Sequence, residues 1–430
     1  MNDRMDQRLR SHLGTVDSVE VATEDVIGAG VARSQRRHER TRRVALGSAV
    51  AALLVVGSVV VWNAGEGPER VTSGDGGAPT TVVVATTLPL AAPSTGPSTT
   101  AAAAAQTGWA AIPPNPRGVI SNASVVWTGA EVVSVGGDVN DGVIPGVTAF
   151  SPSRGLWREV AADVPLLAPI VTWTGDAILA VGWTASGRAR SVAASLSLET
   201  GEWTILADSA APDKLWANDA WVWTGTELLV MSGVQESDTP IVQAFNPTTN
   251  TWRMLASAPI AHRFDAASVW TGTEWLIWGG SGDTAVYADG VAYDPATDTY
   301  RSLAESPLTA RVVRGVWTGT EMVLLAGTSS GGNAESDGAA YNPTTDTWRS
   351  TKSGFGHPGF VPVWTGSLIV QFAKGGAVWY DPAKDAWGSG DMTFGEIPHY
   401  DSSPVWTGSQ VVLLGSYVMT NGGATFTPPS

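Results

Sequence analysis

The triplet Trp-Thr-Gly occurs seven times in this chain, beginning at Trp127, Trp173, Trp223, Trp270, Trp317, Trp364 and Trp406, at intervals of 46, 50, 47, 47, 47 and 42 residues. A second element accompanies it. Phe150-Ser151-Pro152 leads to Trp157, Phe245-Asn246-Pro247 to Trp252, Tyr293-Asp294-Pro295 to Tyr300, Tyr341-Asn342-Pro343 to Trp348, and Tyr380-Asp381-Pro382 to Trp387; Leu198 to Trp203 is a degenerate copy without the proline. Such a period means one supersecondary unit reused along the chain, stacked on copies of itself because no single unit can bury its apolar face alone.

The fourth unit shows what that element is. Ala267 to Trp270 reads as a short apolar strand, Thr271 to Glu274 as a tight turn and Trp275 to Trp278 as a second strand, which Gly279-Gly280 then breaks. Val291 to Tyr293 opens a third strand, Asp294 to Asp298 turns the chain, and Tyr300 to Leu303 forms the fourth. With 49 Gly, 26 Pro, 20 Trp and only 15% charged residues, the composition favours short strands and tight turns over helical bundles. Four strands per unit of this length indicate blades of a β-propeller. Trp109 to Pro113 looks like a fourth strand with no first three before it, and the last unit, from Pro404, stops after three. The chain is therefore expected to be an all-β, seven-bladed propeller whose N-terminal strand closes the last blade and leaves no exposed edge.

A unit that ends its second strand in Gly279-Gly280, followed by Tyr293 and an aromatic at Tyr300, resembles the Kelch repeat and the central domain of galactose-oxidase-like proteins, in a membrane-anchored, bacterial form. The resemblance covers residues 108–430. It departs from the pattern where the double glycine is intact only at Gly136-Gly137 and Gly279-Gly280. The copper chemistry of such oxidases joins a Tyr covalently to a Cys; this chain has no Cys, so that cofactor is not expected, nor is any other. The resemblance leaves room for a proton-transfer enzyme similar to the family's sugar mutarotases or epimerases, with His357 or His399 as base.

Ahead of the repeats the chain divides into three segments. Residues 1–43 hold nine Arg against seven Asp and Glu, with six of the arginines between Arg33 and Arg43. Residues 44–62 carry no charge; as a helix they would be about 28 Å long, against about 30 Å for a bilayer core. A transmembrane helix is expected there, with the arginine-rich side cytoplasmic and Trp62 at the far interface. A cleaved signal peptide is the rival, disfavoured by the long leader, the long apolar run and the lack of a small-x-small cleavage site. Residues 63–107 are dominated by Thr, Ala, Pro, Ser, Gly and Val, a composition expected to form a disordered stalk that holds residues 108–430 outside the cytoplasm.

Two of the four connections in each unit are short and nearly invariant, and the other two vary. In a propeller the variable pair share one face, where binding residues are expected. Leading into the first strands, matched positions carry Trp216, Arg263, His357 and His399, with His262, Arg311, Arg314, Asp219, Asp265, Tyr400 and Asp401 nearby. Together they could form a cationic, aromatic-edged pocket for a carboxylate or sugar ligand, since Arg pairs bidentately with carboxylates. The plainer alternative is that each satisfies loop carbonyls or packs a blade junction. The other variable loops hold Asp138, Asp141, Glu236, Asp238, Asp283, Glu335 and Asp337, which read as solvated acids because no complete calcium loop is present. No metal site is expected.

Zinc-protease helices, phosphate loops and sialidase boxes are absent, and no catalytic residue is assigned. Residues 108–430 hold 15 Lys and Arg against 30 Asp and Glu, the whole of the chain's net charge of −15, which disfavours nucleic acid. The expected role is a membrane-anchored binding or scaffolding module for a glycan or protein ligand.

Overall fold

The computed structural model describes residues 108–118, 122–137, 146–184, 187–206, 212, 215–234, 237–354, 361–373, 376–391, 403–414 and 423–429. The cytoplasmic tail, the transmembrane segment and the stalk read from residues 1–107 lie outside them. Among the described residues every regular element is a β-strand, and these form seven antiparallel sheets. Six are consecutive blades, over 124–161, 166–205, 220–254, 267–302, 311–351 and 363–391. The seventh joins Ser403–Trp406, Val411–Leu414 and Gly423–Thr427 to Gly108–Ala111, with Gly108 opposite Thr427 and Ala111 opposite Ala424. The expected seven-bladed propeller, closed by the N-terminal strand, is thus the observed one. Blade five departs from the simple pattern, its first strand being interrupted into Arg311–Val312 and Gly315–Trp317.

The middle strands of each blade are apolar at successive positions, so both faces of the sheet are sticky. In blade four Trp275, Ile277, Val291 and Tyr293 pack toward blade three, while Leu276, Trp278 and Ala292 pack toward blade five. Side chains alternate across a strand, so one run of sequence feeds two different cores. The buried residues form seven clusters, one at each of the seven junctions between neighbouring blades.

The Trp-Thr-Gly triplet ends the first strand and makes the turn into the second. In all seven blades the Thr hydroxyl donates to the carbonyl three residues on and accepts that residue's backbone N–H, as Thr271 does with Glu274 at 3.1 and 2.8 Å. The next residue lies at positive φ in every copy, 103° at Gly272, which is why the third letter is Gly. In four blades this turn ends in Glu, and that Glu pairs with an Arg on the fourth strand of its own blade: Glu131 with Arg158, Glu227 with Arg253, Glu274 with Arg301, and Glu321 with Arg349.

A second device on the same face fastens blade to blade. Asp298, Asp346 and Asp385 each turn the chain at positive φ, accept a hydroxyl bond from a Tyr of their own blade and accept a backbone N–H from the preceding blade. Burial, the largest cause, pushes Tyr341 and Tyr380 up to about 12, so both hydroxyls stay protonated donors. The three carboxyls lie below their ordinary value of 3.8. The chief cause is the backbone N–H of Ala256 for Asp298 and of Lys352 for Asp385, and the Tyr341 hydroxyl for Asp346.

Blade seven lacks such a turn, because its third and fourth strands come from opposite ends of the propeller. Its junction with blade six is aromatic instead. Trp109 packs on Phe372 and Phe426 at ring-centroid distances of 5.4 and 5.1 Å, and Trp379 lies 6.1 Å from Phe426.

Two outcomes are expected. Trp109→Ala should cost about 3 kcal/mol of stability in denaturant unfolding, since truncating a packed Trp removes area and leaves a void; a loss under about 1 kcal/mol would contradict the aromatic latch. A carboxyl whose pKa is lowered on folding adds stability above its unfolded pKa and loses it as pH falls through the folded one. The melting-temperature advantage of the native chain over a D298N/D346N/D385N variant should therefore be full at pH 7 and shrink below about pH 4. An advantage unchanged at pH 2 would refute the clip.

Candidate functional site

Because strands alternate in direction, the Thr-Gly turns and the Pro-containing turns lie on one face, and the two variable connections lie on the other. On that variable face the lead-ins to the first strands of blades three and four touch each other and the interruption in the first strand of blade five. Asp265 donates its backbone N–H to the Asn218 carbonyl at 2.9 Å, and its carboxylate accepts from Asn218 Nδ2 at 3.3 Å and from Arg314 at 2.7 Å. A polar chain thus runs from blade three through blade four to blade five. Asp265 holds it at φ 53°, a conformation that Asp tolerates better than most side chains.

Beside this chain sits a buried acid. Asp219 accepts the Trp216 backbone N–H at 2.7 Å on Oδ2 and faces His262 Nε2 at 2.9 Å on Oδ1. Burial raises the pKa of Asp219, and the bonds from His262 and Trp216 oppose that rise. The His262 ring, one tenth exposed, stands edge-on to Phe264 at 4.6 Å and lies close over Gly233, where an added Cβ would fall 2.5 Å from Nδ1. Trp216, joined to this acid through its own backbone, is 42% exposed and meets Trp183 edge to face at 4.5 Å. Trp216, His262 and Arg314 therefore share one quadrant with Asn218, Asp219 and Asp265.

Arg263 and Arg311 sit behind that surface, both 0% exposed. Arg263 donates to the carbonyls of Ala261, Gly279 and Asp289 and to the Asp289 carboxylate at 2.8 Å, with its guanidinium 4.2 Å from the Tyr287 ring centre. Arg311 donates to the carbonyls of Thr309 and Ala326, to the Thr309 hydroxyl and to both oxygens of Asp337. Arg263 ties the loop before the first strand of blade four to the loop between its second and third strands, and Arg311 ties the first strand of blade five to its second and third. His357, His399, Tyr400 and Asp401 lie outside the described residues. Among the described residues no group of three or more His, Asp and Glu could hold a metal ion.

Sequence reasoning missed the partners of the two arginines, although a signal was present: Asp289 and Asp337 each stand 26 residues beyond their Arg. A second difference between the copies is informative. Arg311 Nη2 is satisfied by Thr309 and Asp337, whereas Arg263 Nη2 is buried without a partner, and the residue matching Thr309 is Ala261. Ala261→Thr should restore that bond and stabilise the protein by about 1 kcal/mol in chemical denaturation. A neutral or destabilising result would show that the two arginine sites are not equivalent.

No family model matches the chain, and no curated protein matches it. Among solved structures it is similar to one described as the structure of YjhT, at 15% identity and a TM-score of 0.45, over 62% of this chain and 95% of that one. At that distance the likeness assigns neither a family nor an activity.

Proposed function

We propose that this is a Kelch-like binding module, held outside the cytoplasm by a membrane anchor at residues 44–62, that recognises a glycan or protein ligand on its variable face. The observation that carries this reading is the quadrant around Trp216. An exposed indole braced by a second indole offers a flat apolar face, and fixed polar groups from three blades surround it. Ligand sites combine these two features, apolar area for affinity and a few placed polar groups for orientation.

The electrostatics favour a neutral polar ligand over an anionic one. Arg263 and Arg311 spend their charge on Asp289 and Asp337, and Arg314 is paired with Asp265. A sugar, with an apolar C–H face and hydroxyls at its rim, fits an indole flanked by Asn, Asp and Arg. The anchor reading rests on the charge-free run after an arginine cluster. Among the described residues no helix is long and apolar enough to cross a membrane.

A second reading has one specific observation behind it: the Asp219–His262 pair resembles an oriented imidazole, which a sugar mutarotase-like or epimerase-like enzyme would use for proton transfer.

Full-length protein screened on a glycan array should bind a restricted set of neutral glycans. Trp216→Ala should weaken that binding at least tenfold while leaving the melting temperature within about 2 °C, because the indole is largely outside the blade cores. Binding that survives Trp216→Ala would remove the quadrant from consideration. A His262→Gln variant that binds normally but no longer speeds anomer exchange, read by NMR, would favour the enzyme. For topology, a reporter active only outside the cytoplasm and fused at Ser430 should be active; an expressed but inactive fusion contradicts the anchor reading.

A further inference from the structure

The face opposite the proposed ligand site carries a groove of about 730 Å³ beneath blade six. Its walls include Trp364, Trp379, Pro382 and Pro429, with Glu321, Asp381 and Lys384 as its charged residues. Its existence follows from how blade six departs from its neighbours. In blades four and five a small residue on the third strand faces an Arg on the fourth, Ala292 opposite Arg301 and Ala340 opposite Arg349, and that Arg reaches a Glu at the Thr-Gly turn. In blade six Trp379 stands opposite Gly388, and Leu368 replaces the Glu. The indole lies over Gly388, where a Cβ would come within 2.4 Å of Nε1. The charged pair is gone and an aromatic wall takes its place.

The chain enters the propeller beside this groove. Gly108 pairs with Thr427, and Pro429, two residues further on, lines the groove. Trp109 packs on Phe426, which in turn packs on Trp379. Gly108 therefore lies at the groove's edge, and the nearest proline-bearing stretch of sequence before it is Leu88-Pro89-Leu90-Ala91-Ala92-Pro93-Ser94-Thr95-Gly96-Pro97. Proline-rich segments favour an extended left-handed helix and dock into grooves lined by aromatic rings, since little backbone freedom is left to lose. From Pro97 to Gly108 the chain can extend about 34 Å, enough to lay this segment across blade six.

We infer that residues 88–97 dock in cis in the groove formed by Trp364, Trp379, Pro382 and Pro429. Tethering places the segment at millimolar effective concentration, so a weak intrinsic affinity suffices. The docked segment would hold the Thr-Gly face toward the N-terminal side of the chain and leave the variable face free. The inference does not depend on what that face binds.

Disulfide trapping in the full-length protein tests this directly, because the native chain has no cysteine. Ala383 and Ser153 are exposed, occupy the same position of the Pro-containing turn in blades six and one, and flank blade seven on either side. The variant A92C/A383C should form an intramolecular disulfide at least ten times faster than A92C/S153C under mild oxidation, read by mass spectrometry of the linked peptides. Equal rates, or a link found only between two chains, would overturn the proposal. The preference should fall toward one when Pro89, Pro93 and Pro97 are replaced by Ala; a preference that survives would refute recognition through proline.

Discussion

Packing between blades is the interaction on which everything else in this molecule depends. Each sheet is apolar on both faces, so one blade in isolation would leave two apolar surfaces in water, and only a closed ring covers all of them. The magnitudes support that order of importance. The Glu–Arg pairs that recur in four blades join Arg side chains 36–44% exposed to Glu side chains 17–24% exposed, and ion pairs in that setting contribute about 0–1 kcal/mol each. Truncating a single packed Trp costs about 3–5 kcal/mol. The polar devices fix register and spacing, and the aromatic and aliphatic faces hold the ring together.

The closing junction lacks the Tyr–Asp clip, as do the junctions ahead of blades one and two, where Gly155 and Gly201 stand in place of the Asp. The clip of Tyr, Asp and backbone N–H needs a continuous turn between the third and fourth strands of the following blade. Blade seven has no such turn, so the clip cannot form there, and Trp109, Phe372, Trp379 and Phe426 pack together instead. In blade six the replacement of the Glu–Arg pair by Leu368 and Trp379 leaves a groove beside the start of the closing strand. On the opposite face the loops are free of these demands, and there side chains from three successive blades converge.

Much of the fold was legible in the sequence because its determinants are local and repeated. Trp-Thr-Gly encodes a turn whose hydroxyl bonds and positive φ recur in every blade, and Trp109 announced a strand in need of a partner. The candidate site was only partly legible. Trp216, His262 and Arg314 fall in one quadrant because the segments just ahead of the Trp-Thr-Gly turns of neighbouring blades meet. The register could not reveal that Arg263 and Arg311 turn inward, because that depends on Asp289 just before the third strand of blade four and Asp337 within the third strand of blade five, both beyond a connection whose length varies from blade to blade. Asp337 had looked like a solvated loop acid; it is instead the counter-charge of a buried guanidinium. Asp219 likewise gained its meaning only when the ring placed it against His262 of the next blade.

Closure by the N-terminal strand is the central claim, and amide hydrogen exchange reads it most directly. If Gly108–Ala111 completes blade seven, its hydrogen-bonded amides should exchange about as slowly as those of the other fourth strands, such as Thr299–Ser302, and Ala424 to Thr427 should be protected with them. Rapid exchange across 108–111 while blades one to six remain protected would mean that the ring is not closed by this segment, and the account of the seam would fail.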